Sequence, residues 1–171
     1  MVRIAINGFG RIGRIFFRTA FGHPDLEIVA VNDLGTPENL AYLLKYDTVY
    51  GRYEKEISHK DGTLVVDGKE IKILNEKEPA SLPWKDFGVD IVIESTGVFD
   101  SRDEAAAHLN AGAKRVVITA PAKDEITPTA TPGLLDSVKM DKITSNASCT
   151  TNAVNPVMAI MMANPGVQKA F

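Results

Sequence analysis

One cysteine, Cys149, stands in the 171 residues of this chain, so no disulfide can close within it. That scarcity predicts a reducing, cytoplasmic setting. Long apolar runs are missing as well: none approaches the roughly 20 residues that cross a bilayer. A strand-like run begins at Val2, which leaves no room for a signal peptide. Neither sign of charge dominates, since 19 basic against 22 acidic residues give a net charge of −3. Nothing in that balance points to nucleic acid or a membrane as the main partner. Internal repeats and low-complexity tracts are absent. The remainder, 44% hydrophobic and 24% charged, is the composition of a soluble globular protein with a core of ordinary size.

Within that frame the first fourteen residues stand out. Residues 2–6 are an apolar run that reads as a buried strand. A turn follows with Gly8, Gly10 and Gly13, and then a helical pattern through Ile15, Phe16, Ala20 and Phe21. This is G-x-G-x-x-G in its strand–turn–helix context. Gly8 permits the tight turn, Gly10 lets a diphosphate approach the backbone, and Gly13 lets the helix pack on the strand. The helix N-terminus then faces the phosphates. Residues 27–32 read as a second strand with Asp33 at its end, twenty residues beyond Gly13. Asp33 either caps a turn before Gly35 or receives the hydroxyls of an adenosine ribose. The glycine turn upstream favours the second, and an acid there repels a 2′-phosphate, so NAD is expected over NADP.

Further along, Thr36-Pro37 reads as an N-cap with proline at the first helical position, opening a helix that ends near Tyr46. Strand-like runs at Ile57, 63–66 and 70–73 flank Asp67-Gly68, a hairpin signal, so the middle of the chain is expected to be antiparallel. Strands are expected at 90–94, 115–119 and 142–145. Ser101-Arg102-Asp103-Glu104 reads as a capping box, with Gly112 just past the helix it opens. Residues 120–140 carry three prolines and no clear period, and read as loop. Buried strands alternating with helices predict an α/β fold: a doubly wound, mainly parallel sheet, Rossmann-like, with an antiparallel hairpin insertion. Gly8 to Gly13, Asp33, Thr96-Gly97, Thr119 and Ser148-Cys149 all follow the C-terminal end of an expected strand. In such sheets ligands bind there, so one crevice is expected to collect them.

Ser145-Asn146-Ala147-Ser148-Cys149-Thr150-Thr151-Asn152 precedes a helical run at 153–163. Cys149 thus falls at or next to a helix N-terminus, where the dipole and free N–H groups favour thiolate, the nucleophilic form. Those N–H groups also suit an oxyanion. A small buried cysteine in a capping segment is the alternative.

Together, Asn7-Gly8-Phe9-Gly10-Arg11-Ile12-Gly13-Arg14 and the octapeptide around Cys149 closely resemble the phosphorylating glyceraldehyde-3-phosphate dehydrogenases. Leu44-Lys45-Tyr46-Asp47, Glu94-Ser95-Thr96-Gly97-Val98-Phe99 and Ala111-Gly112-Ala113-Lys114 match the same family in the same order. The resemblance implies an NAD-binding domain over 1–148 and the first helix of a catalytic domain over 149–171. By position it implies that Arg11 and Ile12 present N–H groups to the NAD diphosphate and that Asp33 holds the adenosine ribose. Lys77 falls near the adenine end, Thr96 and Gly97 line the adenine side, and Thr119 lies near the nicotinamide. Cys149 is implied as the nucleophile towards a phosphorylated aldehyde, with Ser148 and Thr150 holding inorganic phosphate. Ser148 and Thr150 as plain helix caps, and Lys77 as a solvated charge, are the alternatives. No metal is implied; a homotetramer is.

The loop at 129–140, with Pro132-Gly133-Leu134-Leu135, departs from the family's Gly-x-Asn stretch. The resemblance also places the general-base histidine, an arginine and threonines of the substrate site after Phe171, so this chain alone is expected to be inactive. Its own histidines, His23, His59 and His108, are expected at the surface. A relative acting on erythrose 4-phosphate, or a non-catalytic nucleotide-binding module, are the competing readings.

Overall fold

The structure is a computed structural model that describes residues 1–131 and 141–169. Its centre is an eight-stranded sheet. In chain order the elements begin with β1 (Val2–Asn7), α1 (Arg11–Ala20), β2 (Leu26–Asn32) and α2 (Pro37–Lys45). A two-stranded ribbon follows, β3 (Tyr46–Asp47) and β4 (Gly51–Arg52), then β5 (Ile57–Lys60), β6 (Thr63–Val66) and β7 (Lys69–Leu74). The rest is β8 (Ile91–Glu94), α3 (Arg102–Asn110), β9 (Arg115–Ile118), β10 (Ile143–Ser145) and α4 (Cys149–Ala163).

Across the sheet the order is β10-β9-β8-β1-β2-β7-β6-β5. Every pairing from β10 to β7 is parallel; β6 and β5 add antiparallel at one edge. The chain runs from β1 to β2, out to β5 at the edge and back through β6 to β7, then crosses to β8 on the other side of β1. That reversal is the topological switch point, where a crevice opens beyond the strand ends. The expected α/β doubly wound fold is present. Its antiparallel part is an extension of the main sheet, built from two turns. Asp67-Gly68 was legible; Asp61-Gly62 is a second, and all four residues have positive φ, as the favoured two-residue hairpin turns require.

Alternation along β1 sends Ile4 and Ile6 to one face and Ala5 to the other. The first face joins Phe9, Phe17, Leu40, Leu44 and Leu64 in one buried cluster; Ala5 joins Trp84, Val92, Ala105 and Val116 in the second. Phe17 anchors α1, edge-on to Phe9 and stacked with Phe21. Helix starts follow their caps: Thr36 Oγ1 accepts from Asn39 N–H, and Ser101 with Glu104 forms the full capping box. Gly112, at φ 107, carries the chain out of α3. α2 ends at Lys45 with Tyr46 as its C-cap, as expected, whereas α4 begins at Cys149 rather than Ala153, because Ser148 is its N-cap. The divergent Pro132 to Leu135 stretch lies outside the described residues. No helix among the described residues is long and apolar enough to cross a membrane.

Candidate functional site

The glycine turn is built by contact. A Cβ on Gly8 (φ +88) would lie 2.6 Å from Thr96 N, and one on Gly13 only 2.2 Å from Gly8 O. Both glycines let the turn press against the loop after β8, where Ser95 Oγ donates to Gly8 O at 2.7 Å. Gly10 differs: a Cβ there would meet nothing within 4 Å. The space above it is open. No side chain caps α1, so the first-turn N–H groups, including those of Arg11 and Ile12, are left to an outside acceptor. Behind the turn Arg14 donates to Phe9 O at 2.9 Å; burial pushes its pKa down from the ordinary value, with Asp47 opposing.

Asp33 follows β2 and caps the turn before Gly35, one of the two roles the sequence allowed. Its Oδ1 accepts from Gly35 N–H and its Oδ2 from Phe9 N–H, each at 2.8 Å. It is thus a turn cap and a tether for the glycine turn together. A carboxylate has about four acceptor positions, so each oxygen keeps one for a ligand.

These groups border a cleft of about 460 Å³ beyond the ends of β1, β2, β7 and β8. Of the expected site residues, Gly8, Gly10, Asp33, Lys77 and Thr96 line it. Leu34 and Val98, both well exposed, stand at its rim with Phe99. Arg11, Ile12, Gly13, Gly97 and Thr119 are outside the lining. Gly97 is open, at φ 72. Thr119 Oγ1, just past the end of β9, donates to Glu94 O at 3.0 Å.

Beneath the cleft runs a buried polar network that the sequence did not reveal. Trp84 Nε1 donates to His108 Nδ1 at 2.9 Å, and His108 Nε2 lies 2.9 Å from Glu94 Oε2. Asn7 Nδ2 donates to the same oxygen at 2.6 Å, and Asn32 Nδ2 donates to Asn7 Oδ1 at 2.7 Å. His108 is therefore not a surface residue: it is 0% exposed. Its helix turns it inward, where both ring nitrogens find partners. His23 and His59 are exposed as expected. A glutamate closing an otherwise apolar strand was the available signal for this network.

The Cys149 segment forms a separate feature. Asn146 N–H donates to Ile118 O at 3.0 Å as the chain leaves β10. Ala147 then takes φ +64, a conformation that costs a residue with a Cβ. Ser145 Oγ holds this turn by accepting from Ala147 N–H at 3.0 Å, and Asn152 Nδ2 donates to Asn146 O and Ser148 O at 2.7 and 2.9 Å. Ser148 Oγ caps α4 by accepting from Thr151 N–H at 2.9 Å and shares a hydrogen bond with Thr150 Oγ1 at 2.8 Å. Cys149 is the first residue of that helix and is exposed, not the buried thiol of the alternative reading. Cys149, Ser148 and Thr150 do not line the cleft either, so the crevice expected to collect all of these residues gathers only part of the cofactor set.

Residues 2–102 match the family described as glyceraldehyde 3-phosphate dehydrogenase, NAD binding domain. The chain is 50% identical over 179 residues to glyceraldehyde-3-phosphate dehydrogenase of Streptomyces coelicolor, covering 99% of this chain and 52% of that protein. It is 49% identical over 170 residues to the same-named protein of Thermotoga maritima, covering 98% and 51%. It is 47% identical over 168 residues to the cytosolic glyceraldehyde-3-phosphate dehydrogenase of Trypanosoma brucei brucei, covering 98% and 50%. The chain thus spans about half the length of these curated relatives. It belongs to the glyceraldehyde-3-phosphate dehydrogenase family and contains that family's NAD-binding domain.

Proposed function

We propose that this chain is the cofactor-binding part of a phosphorylating glyceraldehyde-3-phosphate dehydrogenase, converting glyceraldehyde 3-phosphate to 1,3-bisphosphoglycerate in glycolysis. One observation carries the reading: the Asp33 carboxylate and the open space over Gly10, the residue just before the uncapped helix α1, lie on a single cleft. The chemistry of the donor set fits NAD. Gly10, Arg11 and Ile12 offer N–H groups to a diphosphate; Gly8 and Gly13 shape the turn that presents them. Asp33 accepts from ribose hydroxyls. Leu34, Val98, Thr96 and Gly97 give an adenine its sides, with Lys77 beside them. Thr119 lies towards the nicotinamide half. NAD, when bound, accepts the hydride.

Residues 1–148 form the cofactor domain, and 149–171 begin a catalytic domain. Cys149 Sγ attacks the aldehyde carbon, giving a thiohemiacetal. Loss of its hydride leaves a thioester, and inorganic phosphate attacks the thioester carbon. The C–S bond then breaks, releasing the acyl phosphate and the thiolate. Ser148 and Thr150, whose hydroxyls cluster at the start of α4, hold the phosphate. The family resemblance assigns the general base to a histidine after Phe171, and His108, committed to Trp84 and Glu94, does not take that role. The cytosolic relative and the solitary cysteine support a cytoplasmic location. The family resemblance supports a homotetramer.

Titration calorimetry with NAD and with NADP tests this. NAD is expected to bind at least about tenfold more tightly, since Asp33 faces a 2′-phosphate with like charge. Asp33→Ala narrows the gap. Equal or tighter NADP binding would overturn the assignment of Asp33, and no NAD binding at millimolar concentration would overturn the cleft.

A further inference from the structure

We propose that Glu94, which touches no ligand itself, is the positioning residue for both walls of the NAD cleft; this rests on the cofactor assignment above. Glu94 ends β8 and is 2% exposed. A buried carboxylate is costly unless its acceptor positions are filled. Here they are filled. Trp84 Nε1 is only a donor, so His108 Nδ1 must accept and the ring proton sits on Nε2, pointing at Glu94 Oε2. Asn7 Nδ2 donates to the same oxygen. Oε1 takes both the backbone N–H of Thr96, at 2.8 Å, and its hydroxyl. With its capacity taken by protein donors, Glu94 acts only through its neighbours.

Those neighbours are the two walls. Thr96 Oγ1 also accepts from Val98 N–H at 3.1 Å, which fixes the loop after β8. In the other direction Asn7 Oδ1 accepts from Asn32, and Asn32 clasps the Glu76 backbone from both sides. Its Nδ2 donates to Glu76 O at 2.8 Å, and its Oδ1 accepts from Glu76 N–H at 2.9 Å. Glu76 precedes Lys77 on the wall after β7. In the sheet β8 and β7 lie on opposite sides of the β1–β2 pair. One buried carboxylate thus sets the Thr96–Val98 wall directly and the Glu76–Lys77 wall through two asparagines.

Glu94→Gln tests the proposal because it keeps the shape. Whichever way the new amide turns, its NH2 group faces a pair of donors, at Thr96 or at Asn7 and His108. NAD affinity, measured by calorimetry on protein shown folded by circular dichroism, is expected to fall by about tenfold. The paired change Asn7→Asp with Glu94→Gln should restore it. The carboxylate placed at position 7 then accepts from the amide at 94 and still accepts from Asn32. It also lies within reach of His108 Nε2, which is 3.4 Å from Asn7 Nδ2, and the amide oxygen at 94 is freed for Thr96. Trp84→Phe removes the network's donor farthest from either wall; it should lower thermal stability and leave NAD affinity within about twofold. Should Glu94→Gln not fold, Asn32→Leu cuts the far wall alone and is expected to weaken NAD by a similar factor. Unchanged affinity in a folded Glu94→Gln overturns the proposal, as does unchanged affinity in Asn32→Leu, or a loss in Trp84→Phe as large as in Glu94→Gln. An unmodified chain that does not bind NAD overturns the cofactor assignment and this proposal with it.

Discussion

Cys149 owes its exposure to four neighbours that shape the backbone around it. Ala147 turns the backbone at φ +64, Ser145 and Asn152 hold that turn, and Ser148 caps the helix so that Cys149 becomes its first residue. The first turn of α4 contains no acidic side chain, so none there offsets the positive end of the helix at the thiol. Cys149 is therefore expected to react with iodoacetamide faster than glutathione does at neutral pH. Mass-spectrometric rates decide this, and a rate no greater than that of glutathione would count against the dipole. Much of this residue-level detail was readable in advance. Glycine spacing, Asp33 and the cysteine segment are local, and each carries its reason within a few positions. Glu94, His108 and Trp84 were not readable, because their partners sit 14 and 24 residues apart. His108 on a capped helix looks like a surface residue until the helix is seen to roll it onto Trp84 and Glu94.

At the scale of elements, helix starts and tight turns were legible because capping and positive φ are properties of short segments. The β3–β4 ribbon escaped because it is two residues a side, too short to show a period, and the turn at Asp61-Gly62 because β5 before it is polar after Ile57. The most consequential element is α4. None of its residues is buried, and Val154, Val157, Ile160, Met161 and Met162 are all exposed. Burying such side chains stabilises by about 1.5–3 kcal/mol each, and an exposed apolar face of this kind favours association. The 171-residue chain is expected either to self-associate through α4 or to leave that helix frayed. Val157 and Met161 are one turn apart on one face, so Val157→Glu with Met161→Glu should give a monomer that still binds NAD. Light scattering on both forms, with hydrogen exchange across α4, decides between the outcomes. A monomeric unmodified chain with α4 protected from exchange would show that the exposed face drives no association.

For the whole molecule, the electrostatics away from the cleft tie the sheet together at well-separated points, and all lean the same way with pH. Asp90, at the entry to β8, accepts from the Arg3 backbone at the start of β1 and from Lys114 before β9. Asp124 accepts from the Arg102 backbone and from Ile126 and Thr127, and Asp141 pairs with Arg102, fastening the segments on either side of residues 132–140 to α3. Asp67 pairs with Lys55 and accepts from Glu56 N–H across the outer strands. In each case those bonds hold the carboxyl below its ordinary value of 3.8: backbone N–H groups lead for Asp90 and Asp124, and the side-chain bonds from Lys55 and Arg102 lead for Asp67 and Asp141. Below 3.8 the unfolded chain takes up protons that these folded carboxylates still refuse, so unfolding is favoured as pH falls. Their contribution is complete above 3.8 and is lost on descending through the lower folded values. Asp67 is exposed and the other three are half-buried, so salt weakens the ion pairs while the backbone bonds persist. The urea midpoint is expected to hold steady from pH 7 to 5 and to drop steeply below about pH 4, with the drop surviving 0.5 M salt. Replacing Asp90 and Asp124 together by Asn should lower the midpoint at pH 7 and flatten the acid limb. A midpoint that rises or stays level between pH 5 and 3 would contradict the sign, and an unaltered slope in the double variant would place the acid sensitivity elsewhere.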